Sequence, residues 1–297
     1  MRHVAREQLA QFLNHLRGRN LSPHTIAAYR RDLDALVLWC DSQAIDDWTR
    51  FDHAAARAYI AQRHRRGAAP RSLRRSLAAI RTFYGWLNSQ HLVSHDPARE
   101  MPMPKLPKHL PVTLDTDQMA QLLEAAPDDP TAVRDHAIME LLYSSGLRLA
   151  ELVALDLDDL ADDATVRVIG KGSKERVVPV GSRARAALAQ WCKLRRDWAA
   201  IDEPALFVSR RGTRLTPRAV QSRVKQWARR QGAAANVHPH LLRHSCASHV
   251  LESSSDLRAV QELLGHANLS TTQIYTHLDF QHLARIYDEA HPRAKKK

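Results

Sequence analysis

The segment His-Pro-His-Leu-Leu-Arg-His at residues 238–244 sets His240 and Arg243 three positions apart. Pro239 suits the first turn of a helix, and at that spacing the two side chains share one helical face. An imidazole moves protons near neutral pH, while a guanidinium stays cationic and grips phosphate oxygens in a two-pronged fork. Together they suit a phosphate ester under attack. Two other cations stand in comparable positions. Arg148 follows Gly146 at the start of a helix, where backbone N–H groups and the helix dipole already favour an anion. Lys171 lies between two glycines in Gly170-Lys171-Gly172-Ser173-Lys174, where the glycines alone specify the turn and the ammonium is left to reach toward a ligand. Taken singly, each is equally a helix start, a surface turn or a solvated lysine.

The overall charge favours the ligand-binding alternative. The 297 residues carry 44 Lys and Arg against 32 Asp and Glu, a formal charge of +12, which calls for a polyanionic partner. Three scattered cysteines, Cys40, Cys192 and Cys246, make neither a disulfide framework nor a zinc site, and point to a reduced, cytoplasmic setting. No apolar run approaches the ~20 residues of a membrane span, and the N-terminus has no signal-peptide core, so a membrane partner is not expected.

The elements that must hold these residues follow from periodicity. Leu9, Phe12, Leu13 and Leu16 mark a first helix; Ser22-Pro23 opens a second, with Ile26, Leu33, Leu36 and Val37 inward; a third covers 52–66. In a fourth, over 70–90, Leu73, Leu77, Ile80, Phe83, Tyr84 and Leu87 fall on one side. Arg71, Arg74, Arg75 and Arg81 fall on the other with no interleaved acids, which fits contact with a phosphate backbone. The stretch 96–111 holds five prolines and two lysines, and reads as an extended basic connector. The expected organisation is a helical module over 1–97, a linker over 98–111 and a larger domain over 112–297.

In that second domain, Asp115 and Gln118 form a capping box, and two helices break at Ser144-Ser145-Gly146. A β-hairpin pairs Val166 and Val168 with Val178 and Val180, its tip carrying Lys171 and Lys174. Further helices cover 184–198 and 216–232, the second capped by Thr216 or Ser209, and 257–264, ended by Gly265 in a left-handed turn. Ser270 opens another, with Tyr275 early in it. Phe280, Leu283, Ile286 and Tyr287 form a last apolar stripe before the basic HPRAKKK tail. The fold class is mainly α with a small β-sheet (α+β) in the second domain.

In chain order, Arg148 in GLR-x-x-E-L, Lys171 in GKG-x-K, His240 and Arg243 in H-x-x-R, His266 in LGH and Tyr275 nine residues later resemble the active-site set of the tyrosine recombinases, the phage-integrase family. The likeness spans nearly the whole chain. The C-terminal stretch, including THLDF and HPRA, is similar to the Xer recombinases of bacteria and to their XerC branch.

The resemblance implies a two-domain, C-shaped DNA clamp whose N-terminal module is a SAM-like core DNA-binding domain. It implies a type IB topoisomerase-like transesterification through a 3′-phosphotyrosine and a Holliday junction. Tyr275 is then the nucleophile, Arg148 and Arg243 hold the non-bridging oxygens, Lys171 protonates the leaving 5′-oxygen, His240 assists at the tyrosine and His266 bonds the phosphate. Arg71, Arg74, Arg75, Arg81 and Lys174 contact DNA. Neither metal nor ATP is required, consistent with the lack of a G-x-x-x-x-G-K-[ST] loop or an H-E-x-x-H pair. The implied partners are a dif-like double-stranded site, the sister recombinase XerD in a heterotetramer and the septal translocase FtsK, acting on chromosome and plasmid dimers at division. The alternatives are a phage or transposon integrase of the same chemistry and a non-catalytic DNA-binding relic. Tyr84, Tyr143 and Tyr287 fall in apolar helical patterns, as core or interface residues, and the stripe from Phe280 to Tyr287 is expected to dock on a neighbouring subunit.

Overall fold

Residues 1, 3–19, 21–105, 113–161, 163–170, 175–233, 236–265, 286–287 and 289–294 are described by a computed structural model, in two units, Met1–His109 and Leu110–Lys297. The first unit is built on α1 (His3–Gly18), α2 (Pro23–Ser42), α3 (His53–Arg65) and α4 (Pro70–Ser89). The residues at the helix starts explain where they begin. Ser22 caps α2 by accepting from the Thr25 N–H at 3.1 Å, with Pro23 in the first turn, and Asp52 caps α3 through the Ala55 N–H at 2.8 Å.

The apolar stripes expected on α1 and α4 are buried in full; on α2, Leu33, Leu36 and Val37 are buried and Ile26 is half-buried. Trp48 meets Phe83 edge to face at 4.8 Å and donates its indole N–H to the Ala5 carbonyl at 2.8 Å. Tyr84 donates to the Trp48 carbonyl at 2.9 Å, so the polar tips of these buried rings are satisfied. Residues 98–105 have no regular structure, as the prolines demand. They begin anchored, however: Ala98 and Met101 are buried in the first unit's core, and Arg81 on α4 donates to their carbonyls at 2.8 and 2.5 Å.

The second unit runs α5 (Thr116–Glu124), α6 (Pro130–Ser144), α7 (Leu149–Ala154), β1 (Leu160–Ala161), β2 (Thr165–Ile169), β3 (Glu175–Pro179), α8 (Ser182–Trp198), α9 (Pro217–Arg230), α10 (Pro239–Ser254) and α11 (Leu257–Leu264). The capping box closes α5: Asp115 accepts from the Gln118 N–H at 2.7 Å and Gln118 from the Asp115 N–H at 3.2 Å. Thr216, not Ser209, caps α9. The strands pair antiparallel in the order β1-β2-β3, with Val166 opposite Val178; β1 is a third strand that alternation did not reveal, being two residues long. Helix α6 is buried on almost every side and forms the centre of the unit.

At its end the chain returns to α6. Tyr287 is 2% exposed, shares a 2.6 Å hydrogen bond with Ser144 and stacks on His291 at 4.7 Å. Arg293 pairs with the buried Glu140, donating from Nε at 2.9 Å, and the Ser182 N–H donates to the Ala294 carbonyl at 3.0 Å. Tyr287 is a core residue of its own unit, one of the two readings its apolar pattern allowed, and the Ser144 hydroxyl satisfies its phenol. Phe280 and Leu283 lie outside the described residues. Among the described residues no helix is long and apolar enough to cross a membrane.

Candidate active site

Gly146, with φ +56°, turns the chain out of α6, and a Cβ there would stand 3.1 Å from Leu264 and 3.4 Å from the Cys246 sulfur. The turn delivers Arg148 to the N-cap of α7, as the glycine and the helix start suggested. Arg148 is fixed from both ends. Its backbone N–H donates to Glu151 Oε2 at 2.8 Å, its Nη1 to Glu151 Oε1 at 2.8 Å and its Nη2 to the Gly265 carbonyl at 3.1 Å.

Pro239 occupies the first turn of α10 with His238 as N-cap, whose Nδ1 accepts from the Leu241 N–H at 3.1 Å. One turn on, Arg243 is buried. It donates to the Gly146 carbonyl, to the Leu264 carbonyl at 2.6 Å, and lies 3.9 Å from Glu151 Oε2. Two arginines from different helices thus meet at one carboxylate and at the two carbonyls that precede His266 in the chain. His240, on the first turn of α10, is exposed, its ring 6.5 Å from that of His238. Lys171, Lys174, His266 and Tyr275 lie outside the described residues.

The electrostatics of the group are unusual. Burial alone would raise the Glu151 carboxyl, but hydrogen bonds from Arg176 and Arg148 outweigh it and hold the group at about 2. It is a carboxylate at any working pH. Burial, then the neighbouring Arg148, bring Arg243 down to about 10, so it remains cationic near neutrality. One anion therefore sits among Arg148, Arg176 and Arg243, and the surplus positive charge suits a second anion with the valence of a phosphodiester.

Neither Glu151 nor Arg176 is among the residues given a role from the sequence. Glu151 is the acid of the GLR-x-x-E-L stretch, and its place three residues after an N-cap is the spacing at which a carboxylate reaches back. The signal for Arg176 was in the strand: it has the same parity as Val178, so it points inward, and an arginine at an inward position requires a buried partner.

The remaining histidines and tyrosines have structural surroundings. His249 is buried against the Tyr143 hydroxyl at 2.8 Å, and His244 is exposed on α10. Tyr84, Tyr143 and Tyr287 are all buried, and burial pushes each phenol well above its usual range, which makes them poor nucleophiles.

In the first unit, Arg71 and Arg74 are exposed, and no partner is seen for either among the described residues. Arg75 donates to Asp32 at 2.7 and 3.2 Å, and Arg81 to the carbonyls of Ala98 and Met101. The acid absent from α4 itself comes from α2, a partner that counting along one helix does not find.

Residues 112–282 match the family model described as the phage integrase family, and residues 9–91 match the phage integrase N-terminal SAM-like domain. The tyrosine recombinase XerC of Pseudomonas fluorescens is 56% identical over 293 residues, 97% of each chain. That of Pseudomonas syringae pv. tomato is 55% identical over 294 residues, 98% of each. Among solved structures, the XerH site-specific recombinase bound to palindromic difH substrate, a post-cleavage complex, shares the fold with a TM-score of 0.71 at 22% identity, over 91% of this chain and 81% of that one.

Proposed function

The chain belongs to the phage integrase family, and from that membership we propose that Arg148, Lys171, His240, Arg243, His266 and Tyr275 act as one catalytic set on a DNA phosphodiester. It is a site-specific tyrosine recombinase, an enzyme that cleaves and rejoins DNA. The Tyr275 oxygen attacks the scissile phosphorus, the bond to the 5′-oxygen breaks, and Lys171 gives that oxygen its proton. The products are a 3′-phosphotyrosine and a free 5′-hydroxyl. Arg148 and Arg243 hold the two non-bridging oxygens as charge builds, His266 bonds the phosphate and His240 assists as the tyrosine loses its proton.

The phosphodiester energy stays in the covalent link, so a 5′-hydroxyl from the partner strand reverses the step without ATP or a metal. The two domains over 1–97 and 112–297 hold the duplex through phosphate contacts, to which Arg71, Arg74, Arg75, Arg81 and Lys174 contribute. The substrate is a dif-like chromosomal site in the cytoplasm, recombined through a Holliday junction. The partner is XerD in a heterotetramer, with the translocase FtsK gating the reaction, and the outcome is resolution of chromosome and plasmid dimers at division.

What carries this reading is the convergence of the Arg148 and Arg243 forks beside Glu151, against the carbonyls of Leu264 and Gly265. Incubation with a nicked suicide substrate, together with the sister recombinase, is expected to trap a covalent protein–DNA adduct that Tyr275→Phe abolishes. An adduct that persists in Tyr275→Phe refutes the nucleophile, and none from the wild type refutes the catalytic set.

A further inference from the structure

Among the three arginines at Glu151, Arg176 is the one with no assigned role. Its side chain points inward from β3, the strand that follows Lys171 and Lys174 in the chain. It meets the Glu151 carboxylate as a parallel fork, Nη1 to Oε1 and Nη2 to Oε2, each at 2.9 Å. Its Nε is buried with no hydrogen-bond partner among the described residues. That end of the side chain stands beside Gly265. A Cβ on Gly265 would stand 3.0 Å from both Nε and Cζ of Arg176, in a residue already at φ +60°. Arg176 therefore touches the carboxylate that orients Arg148 and the turn whose carbonyls Arg148 and Arg243 both bind.

We infer that Arg176 is a positioning residue for strand cleavage: it takes one acceptor site on each Glu151 oxygen, so that Arg148 keeps a single guanidinium bond to the carboxylate and Arg243 none, and both face the scissile phosphate. This rests on the proposed catalytic set. The physical basis is competition. A carboxylate offers about four acceptor sites, and here Arg176 fills two and Arg148 the other two. With Arg176 in place, Arg148 reaches Glu151 through Nη1 and its backbone N–H, while its Nη2 goes to the Gly265 carbonyl; Arg243 stays 3.9 Å off. Without Arg176, the same anion would attract both remaining cations at close range in a buried site, and a phosphate would have to displace it. Arg176 also links the strand leaving the Lys171 segment to Gly265, the residue before His266, so one side chain bears on three separate parts of the set.

The experiment measures single-turnover cleavage of the suicide substrate at saturating DNA, alongside DNA affinity and thermal midpoint. Arg176→Met is expected to lower the cleavage rate constant by about 10²-fold, the cost of misplacing a reacting group by an ångström, with DNA affinity unchanged. A merely structural role would lower the reactive fraction and the thermal midpoint, and leave the rate constant of the surviving molecules alone. The decisive comparison is made in a Glu151→Gln background, where no carboxylate remains to compete. There Arg176→Met is expected to cost less than a tenth of its effect in the wild type, and an equal cost in both backgrounds overturns the inference. Arg176→Lys keeps the charge and gives up the fork, and is expected to fold and to cleave at an intermediate rate. If it cleaves as fast as the wild type, the fork is not what positions the site and the inference fails, even if Arg176→Met does not fold. Absence of a Tyr275-dependent adduct from the wild type would sink the catalytic set itself; a wild-type adduct with unaffected Arg176 variants sinks only the role given to Arg176.

Discussion

Each unit of the protein contains a buried acid that gathers arginines from other elements, and the two serve different ends. In the first, Asp32 on α2 holds Arg63 of α3 at 3.3 Å and Arg75 of α4 at 2.7 Å. Arg63 also donates to the Ser76 hydroxyl, and both arginines stitch helices together. In the second, Glu151 draws Arg148, Arg176 and Arg243; Arg176 forks onto both its oxygens, and Arg148 reaches both through Nη1 and its backbone N–H. At Asp32, Arg75 spans both carboxylate oxygens and Arg63 shares Oδ1, so two cations tie three helices together. At Glu151 the carboxylate is filled by Arg176 and Arg148 together, and Arg148 and Arg243 keep further donors on backbone carbonyls with charge to spare. The same pairing chemistry makes a staple in one place and an anion-binding corner in the other; the difference is the number of cations and what else satisfies their donors.

Removing a cation from each centre gives the largest contrast. Arg243→Ala is expected to slow strand cleavage by about 10²–10³-fold, the usual cost of one transition-state donor, while Arg63→Ala leaves the single-turnover rate at saturating DNA within about twofold and only lowers the thermal midpoint. Equal losses of rate from both would erase the distinction.

Acid offers the next test. The Glu151 carboxyl is lowered from 4.5 to about 2 in the folded chain. A depressed carboxylate stabilises the fold above its unfolded value, and that stability is lost as the pH falls. The catalytic unit should therefore keep the Glu151 contribution above about 4.5 and lose it progressively toward 2. Subtracting the acid unfolding profile of Glu151→Gln, followed by circular dichroism, from that of the wild type is expected to show this window, and identical profiles would remove Glu151 from the centre.

The smallest effect separates arginines within the first unit. Arg71 and Arg74 are exposed and Arg75 is held by Asp32. Replacing either of the first two with alanine is expected to reduce the salt dependence of DNA binding by roughly one counterion each, and replacing Arg75 to change it less, as measured by titration across ionic strengths.

Much of this scaffold is legible from periodicity and caps. The stripes of α1 and α4, the Ser22 and Asp115 caps, the break at Gly146 and the left-handed Gly265 are all local signals, set by side chains within a turn or two of each other. What was not legible is long-range pairing. Arg75 finds Asp32 and Arg176 finds Glu151 across elements that only the tertiary fold brings together, so charge counting along one helix or strand misses both. Tyr287 shows the same limit. An apolar stripe shows that a helix face must be covered, and only the Ser144 hydroxyl and Glu140 on α6 show that its own chain covers this end of it.

The burial of Arg293 against Glu140 bears on how the enzyme is made. The first unit has its described helices and its core once residue 101 has been synthesised, and it can settle while the rest of the chain is still emerging. The second cannot, because a carboxylate at the centre of α6 waits for an arginine 153 positions later, and leaving such a charge buried and unpaired costs about 3–5 kcal/mol. The order of synthesis therefore runs against the order of need: the centre of the catalytic unit is laid down early, and its buried charge is met only from residue 293.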